Sequence, residues 1–324
     1  MENKSLKQII ANRLEKLDKI RQLGVNPYPY EFNVTCSTSD INKDSVDKKV
    51  SVAGRVMSLR KMGKAAFANI QDASGRVQLY IARDDVGEDN YSLFKLVDIG
   101  DFIGIDGVVF ITKTDALTVK AEKVTVLSKN LRPIPDVKEK DGEKYNSVSD
   151  KELRYRKRYI DMIINPETKD NYIKRFKIIN SIREFLNKNG YIEVETPVLQ
   201  PVYGGANAKP FKTFHNALDQ EFFLRIATEL YLKQLIVGGF EKVYEMSKDF
   251  RNEGIDRSHN PEFTMLEFYQ AYSDYNFMMD FVEEMFKKVA KDLGLKKISW
   301  DGNDIDLSKK FARKTMDELI KEHT

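Results

Sequence analysis

Cysteine occurs once in the 324 residues, as Cys36, so no intrachain disulfide can form. With one cysteine and three histidines, a cysteine-based zinc site is excluded as well. A reducing compartment is therefore the default expectation. Long apolar runs are also missing, and none approaches the ~20 residues that a membrane span needs. The first segment, MENKSLKQIIANRLEKLDKI, is amphipathic and carries both charge signs. It lacks the apolar core and small-residue cleavage site of a secretory leader. The expectation is a soluble, cytoplasmic protein with no membrane attachment. Excess charge is absent too: 53 basic residues against 50 acidic ones leave +3. That excludes a simple polycation, and nucleic-acid binding would have to come from local patches. Neither a Walker A sequence nor G-x-G-x-x-G occurs, so the common phosphate loops do not supply nucleotide binding.

What is present suits two domains with real cores: 41% hydrophobic residues under a surface rich in charge. Leu6, Ile9, Ile10, Leu14, Leu17 and Ile20 keep helical spacing, with Gly24 placed to end the helix. A Pro-containing connector follows. From about Val50 to Leu127 short alternating segments bounded by turns predict five strands, with Ala73 to Gly75 as a hairpin turn. The helical piece NYSLFKLVDIG falls between the third and fourth strands. An SH3-like barrel competes, but the placed helix favours an OB barrel.

Residues 129–164 read as a linker containing a basic helix, KELRYRKRYIDMI. That helix is either a solvated face or a nucleic-acid contact. At Asn165 a second domain starts, with Asn165 as N-cap and Pro166 as first helical residue of a helix that stops at Gly190, after which YIEVETPVL reads as a strand. Its helices and strands do not alternate regularly, which favours an α+β antiparallel sheet over a Rossmann fold. The expected division is 1–49 helix and connector, 50–128 OB barrel, 129–164 linker and 165–324 α+β domain.

The stretch KDFRNEGIDRSHNPEFTMLEFYQAY places charge where a sheet should have its core. Read as a hairpin, it puts Asp249, Arg251 and Glu253 on one face and Phe263, Met265, Glu267 and Tyr269 on one face of the returning strand. If the faces coincide, the charge either faces water through cross-strand ion pairs or lines a binding site. Arg257, His259 and Asn260 in the loop crowd further donors around one point. Arginine grips phosphate or carboxylate in a bidentate way, and Phe263 offers a stacking surface. This equipment suits a nucleoside triphosphate together with a small acid or amine.

FRNE, a loop and HNPEFTMLE resemble motif 2 of the class II aminoacyl-tRNA synthetases, and GYIEVETPVL with Pro197 resembles motif 1. An OB domain ahead of this catalytic domain marks the lysine, aspartate and asparagine subgroup. GGANAKPF, NALDQEFFLRIATELYLKQLIVGGFEKVYE, MGKAAFANIQDASGRVQLYIARDD and RYRKRYIDMI are similar to the lysyl-tRNA synthetases, over essentially the whole chain. The resemblance implies activation of L-lysine by ATP to lysyl-adenylate, then transfer to tRNA(Lys). It implies that Arg251, as catalytic residue, bridges the α-phosphate and the lysine carboxylate. Glu253, His259, Asn260 and Phe263 would bind ATP, Phe263 by stacking on adenine, and Arg257 would follow the loop toward phosphates or the tRNA end. Gly205, Glu229, Glu267 and Tyr269 match lysine-binding positions. A buried carboxylate is satisfied by an ammonium and left unpaired by an uncharged analogue. Taken alone, Glu229 is an ordinary first-turn acid and Tyr269 an ordinary core aromatic. Thr228 stands where many relatives have proline, and as a good N-cap residue it is expected to alter helix entry only. An aspartate or asparagine substrate fits Glu267 and Tyr269 poorly.

On the barrel, Arg60, Phe67 and Gln78 match anticodon-reading positions, with Glu122 a further candidate. A lone strand Phe such as Phe67 also reads as core. Motif 1, with Pro197, implies a homodimer. The family's third motif and its Mg2+ ligands lie beyond Thr324, and KTMDELIKEHT stops inside a helix-like pattern. The expectation is the front part of a longer ligase, inactive by itself. The alternative is a natural truncation that binds tRNA or pairs with a full-length subunit.

Overall fold

Strand alternation decides the first unit. In this computed structural model the described residues are 5–135, 137–140, 143–146, 151–256 and 258–323. The chain divides into two compact units, residues 1–164 and 165–324. In the first, α1 (Leu6–Gln22) precedes β1 (Lys49–Met62), β2 (Ala65–Gln71) and β3 (Arg76–Ala82). Two short helices follow, α2 (Arg83–Val86) and α3 (Glu88–Lys95), and then β4 (Phe102–Ile111) and β5 (Leu117–Ser128). The strands close in the order β1-β2-β3-β5-β4, the five-stranded barrel with a helix after the third strand that defines an OB fold. β1 is long enough to serve two neighbours: Arg55 pairs with Gln71 of β2 and with Phe102 of β4. At Gly54 a Cβ would lie 2.8 Å from the Gln71 carbonyl oxygen, so the close strand approach requires glycine.

Inward positions are branched and small, among them Val52, Val56, Ala68, Ile70, Leu79, Ile103, Ile105 and Val126, all buried. Tyr91 and Phe94 of α3 join this core, and the Tyr91 hydroxyl donates to the Gly63 carbonyl at 2.6 Å. The expected apolar stripe of α1 is only partly covered: Leu17 and Ile20 are buried, whereas Leu6 and Leu14 are exposed. Arg13 is buried instead, because its guanidinium donates to the carbonyls of Ile99 at 3.0 Å and Asn130 at 2.7 Å.

Part of the expected linker is structured. β6 (Val137–Lys140) and β7 (Glu143–Asn146) pair as a hairpin, and α4 (Lys151–Arg156) and α5 (Arg158–Ile164) belong to the first unit. The basic run is not simply a solvated face. Arg154 Nε at 2.7 Å and Arg158 Nη1 at 3.2 Å both donate to Asp161, which is fully buried.

The second unit opens with α6 (Pro166–Lys188). Motif-like YIEVETPVL, expected as a strand, forms only the two-residue strands β8 (Ile192–Glu193) and β9 (Leu199–Gln200), interrupted at Pro197. β10 (Lys212–His215), β11 (Gln220–Leu224), α7 (Glu229–Val237), β12 (Lys242–Phe250), β13 (Glu262–Gln270) and α8 (Tyr275–Asp292) follow. β14 (Lys297–Trp300), β15 (Asn303–Asp306) and α9 (Met316–His323) complete the described part. One sheet runs β13-β12-β8 and another β10-β11-β9. β12 and β13 are antiparallel, while β8 joins β12 in parallel. The back of the β12–β13 hairpin carries Tyr244, Leu266 and Phe268. These pack with Phe185 and Leu186 of α6 and Phe281 and Met285 of α8. Aromatic centroids 4.9 Å apart (Phe185–Phe281) and 5.6 Å apart (Phe268–Phe281) fix that layer.

Candidate functional site: a polar hairpin face and a barrel pocket

The alternation that turns Tyr244 and Phe268 toward the helices turns their odd-numbered neighbours to the opposite face. Asp249 lies across from Phe263, Ser247 from Met265, Glu245 from Glu267 and Val243 from Tyr269, so the two polar faces coincide. The hairpin extends one step past β12, where the Arg251 N–H donates to the Pro261 carbonyl at 2.9 Å. The Arg251 guanidinium carbon stands 5.1 Å from the centre of the Phe263 ring. Its Nε is buried and has no partner among the described residues. A cation held beside an aromatic face with a free donor is suited to an anion next to a flat ring.

Glu267 is half-buried and neutral donors surround it. The Thr228 N–H donates to Oε1 at 3.2 Å and the Tyr269 hydroxyl to Oε2 at 3.1 Å. Burial raises its pKa, the charges of Asp249 and Glu229 add to the rise, and the two hydrogen bonds oppose it. Burial also raises the Tyr269 phenol, which therefore keeps its proton. Glu229 opens α7 and pairs with Lys233 at 2.6 Å, and Lys233 Nζ lies 6.0 Å from the Tyr269 ring centre. Gly205 sits against Glu229 with φ +83°, and a Cβ there would be 2.8 Å from Glu229 Cβ. Gly205, Glu229, Glu267 and Tyr269 are thus brought together. Thr228 is not the side-chain cap expected of it: its φ and ψ are helical, and its Oγ1 is buried without a partner among the described residues.

Glu253 is exposed and accepts the Lys209 N–H at 3.3 Å, while the Asn252 N–H donates to the Lys209 carbonyl at 2.7 Å. These bonds tie the segment after Gly205 to the end of the hairpin. His259 and Asn260 occupy an exposed turn. Asp256 accepts from the backbone N–H groups of Ser258 and His259, and His259 Nδ1 lies 2.7 Å from it. Asn260 donates to the Glu262 carbonyl at 2.6 Å. Arg257 lies outside the described residues. Pro197 is exposed, in the connection between β8 and β9.

Sequence reasoning missed Arg225, the single charge inside FFLRIA. It is buried at the end of β11, with Glu245 at 2.7 Å and Asp249 at 3.3 Å. A charged residue in an otherwise apolar run was the available signal.

On the barrel, Phe67 is not a core residue. Ala66, Ala68 and Ile70 point inward and Phe67 outward, half-buried. It lies across from Arg60 on β1 and Tyr80 on β3, and Asn69 lies across from Gln78. Phe67, Tyr80 and Phe110 form a run of rings with centroids 5.1 and 6.1 Å apart. These residues, with Arg60, Asn69 and Gln78, line a pocket of about 790 Å³. The Thr118 hydroxyl donates to Gln78 Oε1 at 2.8 Å, which orients the Gln78 amide. Glu122 is not brought to this pocket. It occurs where the β4–β5 register shifts, is exposed, and pairs with Lys49 at 3.2 Å.

Among the described residues no group of three or more His, Cys, Asp or Glu is arranged to hold a metal ion. No helix among them is long and apolar enough to cross a membrane.

Residues 50–127 match the family model for the OB-fold nucleic acid binding domain. Similar proteins named lysine–tRNA ligase come from Porphyromonas gingivalis, at 50% identity over 96% of this chain, and Carboxydothermus hydrogenoformans, at 49% over 100%. One from Thermoanaerobacter pseudethanolicus is 50% identical over 98% of the chain. The chain spans 56%, 66% and 63% of the lengths of these three relatives. Residues 150–324, more than half of the chain, match the model for class II tRNA synthetases (D, K and N), and the chain belongs to that family.

Proposed function

We propose that this chain is the anticodon-reading and lysine-holding part of a lysine–tRNA ligase, which activates L-lysine with ATP and passes it to tRNA(Lys) in the cytoplasm. The observation that carries the choice of lysine is Glu267, a half-buried carboxylate held by neutral donors and by no cation among the described residues. An ammonium entering beside it gains the pairing that the protein withholds. Aspartate brings a second negative charge there, and asparagine brings none to neutralise it.

In this reading Arg251 holds the lysine carboxylate against the α-phosphate of ATP while Phe263 stacks on adenine. A carboxylate oxygen attacks the α-phosphorus, and the bond to pyrophosphate breaks. Positioning and charge neutralisation supply the catalysis. Glu253, His259 and Asn260 lie close in sequence to Arg251 and are assigned to ATP. His259 and Asn260 would have to exchange their local turn bonds for it. Mg2+ is implied by the family, and the described residues offer it no three-ligand cluster.

Phe67 with Tyr80 gives the barrel pocket a stacking platform, and Arg60, Asn69 and Gln78 supply polar groups for the edges of unpaired bases. A homodimer through the Pro197 region is part of the same proposal. It is supported by exposed Ile192, Val198 and Leu199 beside Pro197 and by Ile173 and Phe176 on α6.

The test is calorimetric titration of the chain with L-lysine, L-aspartate and L-asparagine in the presence of ATP, and separately with tRNA(Lys). Binding of lysine alone among the three, together with tRNA binding, is expected. Binding of aspartate or asparagine in its place overturns the substrate assignment. tRNA binding with no amino-acid binding favours a tRNA-binding chain without lysine-activating capacity.

A further inference from the structure

Arg225 is connected to two separate segments of the second unit, the connection at Thr196 to Val198 and strand β12. Its backbone N–H donates to the Val198 carbonyl at 2.9 Å, and its carbonyl accepts the Phe250 N–H at 2.9 Å. Its side chain reaches further. Nε donates to the Lys248 carbonyl at 2.9 Å and lies 3.3 Å from Asp249 Oδ1. Nη1 donates to Glu245 Oε1 at 2.7 Å and to the Thr196 carbonyl at 2.9 Å. Thr196 Oγ1 closes the circuit by donating to the other Glu245 oxygen at 2.7 Å. Ser247 Oγ completes it with a bond to Asp249 Oδ1 at 2.9 Å. The side chains of Arg225, Glu245 and Asp249 are 5%, 6% and 0% exposed.

The position of this network matters more than its strength. Phe250, fixed by the Arg225 carbonyl, is the residue before Arg251. Thr228 and Glu229 follow Arg225 by three and four residues, and the Thr228 N–H holds Glu267. Through its main chain and its guanidinium Arg225 therefore joins the strand end that precedes Arg251 to the start of α7, which carries Glu229 and the N–H that holds Glu267. Replacing a buried ion network by apolar groups is often neutral for stability. Geometry at both ends of one small ligand is far less forgiving, since a displacement of about 1 Å can cost about 100-fold.

We infer that Arg225 is a positioning residue that sets the distance between the phosphate-binding and ammonium-binding halves of the site. The inference rests on the function proposed above. The guanidinium makes no contact with the ligand itself. Its effect appears only for a ligand that engages both halves at once.

The probe is lysyl-sulfamoyl-adenosine, a stable mimic of the adenylate, titrated by calorimetry beside L-lysine alone and ATP alone. Arg225→Lys keeps the charge but lacks the planar fork that serves several acceptors at once. In this variant ATP alone is expected to bind within about 3-fold of the unaltered chain, and L-lysine and the mimic, which both reach from Arg251 to Glu267, about 10- to 100-fold more weakly. Should Arg225→Lys fail to fold, the combination Arg225→Met, Glu245→Gln and Asp249→Asn removes the buried charges together. It is expected to fold and to show the same selective loss. Unchanged affinity for the mimic in a folded variant overturns the inference. Equal losses for all three ligands overturn it too, because they mark a general disruption. Failure of the unaltered chain to bind the mimic overturns the proposed function, and with it the role assigned to Arg225.

Discussion

Glu245 and Glu267 stand directly opposite each other on β12 and β13, and among the described residues only Glu245 has a cation. Glu245 is met by Arg225 at 2.7 Å. Glu267, facing the same side, receives the Thr228 N–H and the Tyr269 hydroxyl among the described residues. The hairpin thus carries one carboxylate paired with a cation and one met by neutral donors.

That difference makes Glu267 a cost to the free protein. Burial raises its folded pKa above the ordinary value of about 4.3. The folded form then binds this proton more tightly than the unfolded chain. The associated stability is fully present below the ordinary value and is lost as pH rises through the raised one. Asp249, also raised by burial, follows the same trend and is common to both chains in a comparison. Glu267→Gln is therefore expected to melt above the unaltered chain near neutral pH, by about 2–4 °C per kcal/mol recovered. The gap should close in acid. Melting curves by circular dichroism between pH 4 and pH 8 check this, and coincident midpoints throughout would contradict it.

Gly205 tests the lysine side sterically. Its φ of +83° already disfavours a side chain, and an added Cβ meets Glu229 Cβ at 2.8 Å. Strain of about 1–3 kcal/mol is expected from the backbone alone. Gly205→Ala should weaken lysine binding about 10- to 100-fold at 1.4 kcal/mol per tenfold, with RNA binding untouched. Unchanged calorimetric affinity would show that Glu229 is not part of the lysine site.

The barrel pocket is testable apart from the hairpin. Phe67→Ala removes one stacking face, a loss of about 1–3 kcal/mol per base. Filter binding of an RNA hairpin bearing the tRNA(Lys) anticodon loop should weaken accordingly while lysine affinity stays constant. A parallel fall in both would remove Phe67 from the RNA site.

Asp72 anchors the segment before the barrel. It accepts from the Thr38 N–H at 2.7 Å, the Thr38 hydroxyl at 2.6 Å and the Ser74 N–H at 2.7 Å. Burial alone would raise its carboxyl, but these bonds outweigh burial and hold it well below the usual range. The stability it adds is present above about pH 3.9 and is lost as pH falls through the depressed folded value. Asp72→Ala is expected to destabilise the first unit by about 1–3 kcal/mol at neutral pH. The difference should shrink in acid, as read by urea titration. An Asp72→Ala chain as stable as the unaltered one at pH 7 would contradict this.

Period-2 patterning made the barrel legible, because each strand buries one face only. The same alternation located the hairpin and its polar face. It did not show that Phe67 points outward, since a strand's phase relative to the core is invisible until its neighbours, here Ala66 and Ala68, are seen inside. YIEVETPVL was misjudged as a strand because β propensity ignores the break at Pro197. Arg225 stayed hidden because its partners lie 20 and 24 residues away on another strand. Thr228 shows the limit of residue-type rules: a good capping residue is not a side-chain cap when its own backbone is helical rather than extended.

The account rests most directly on an unneutralised Glu267, and one comparison addresses it. L-lysine and L-norleucine differ at the end of the side chain by the ammonium group. Titrated into this chain with ATP present, lysine is predicted to bind at least about 100-fold more tightly, because norleucine leaves the carboxylate unpaired. Equal affinities for the two would show that Glu267 does not read a cation, and the hairpin face would not be a lysine site.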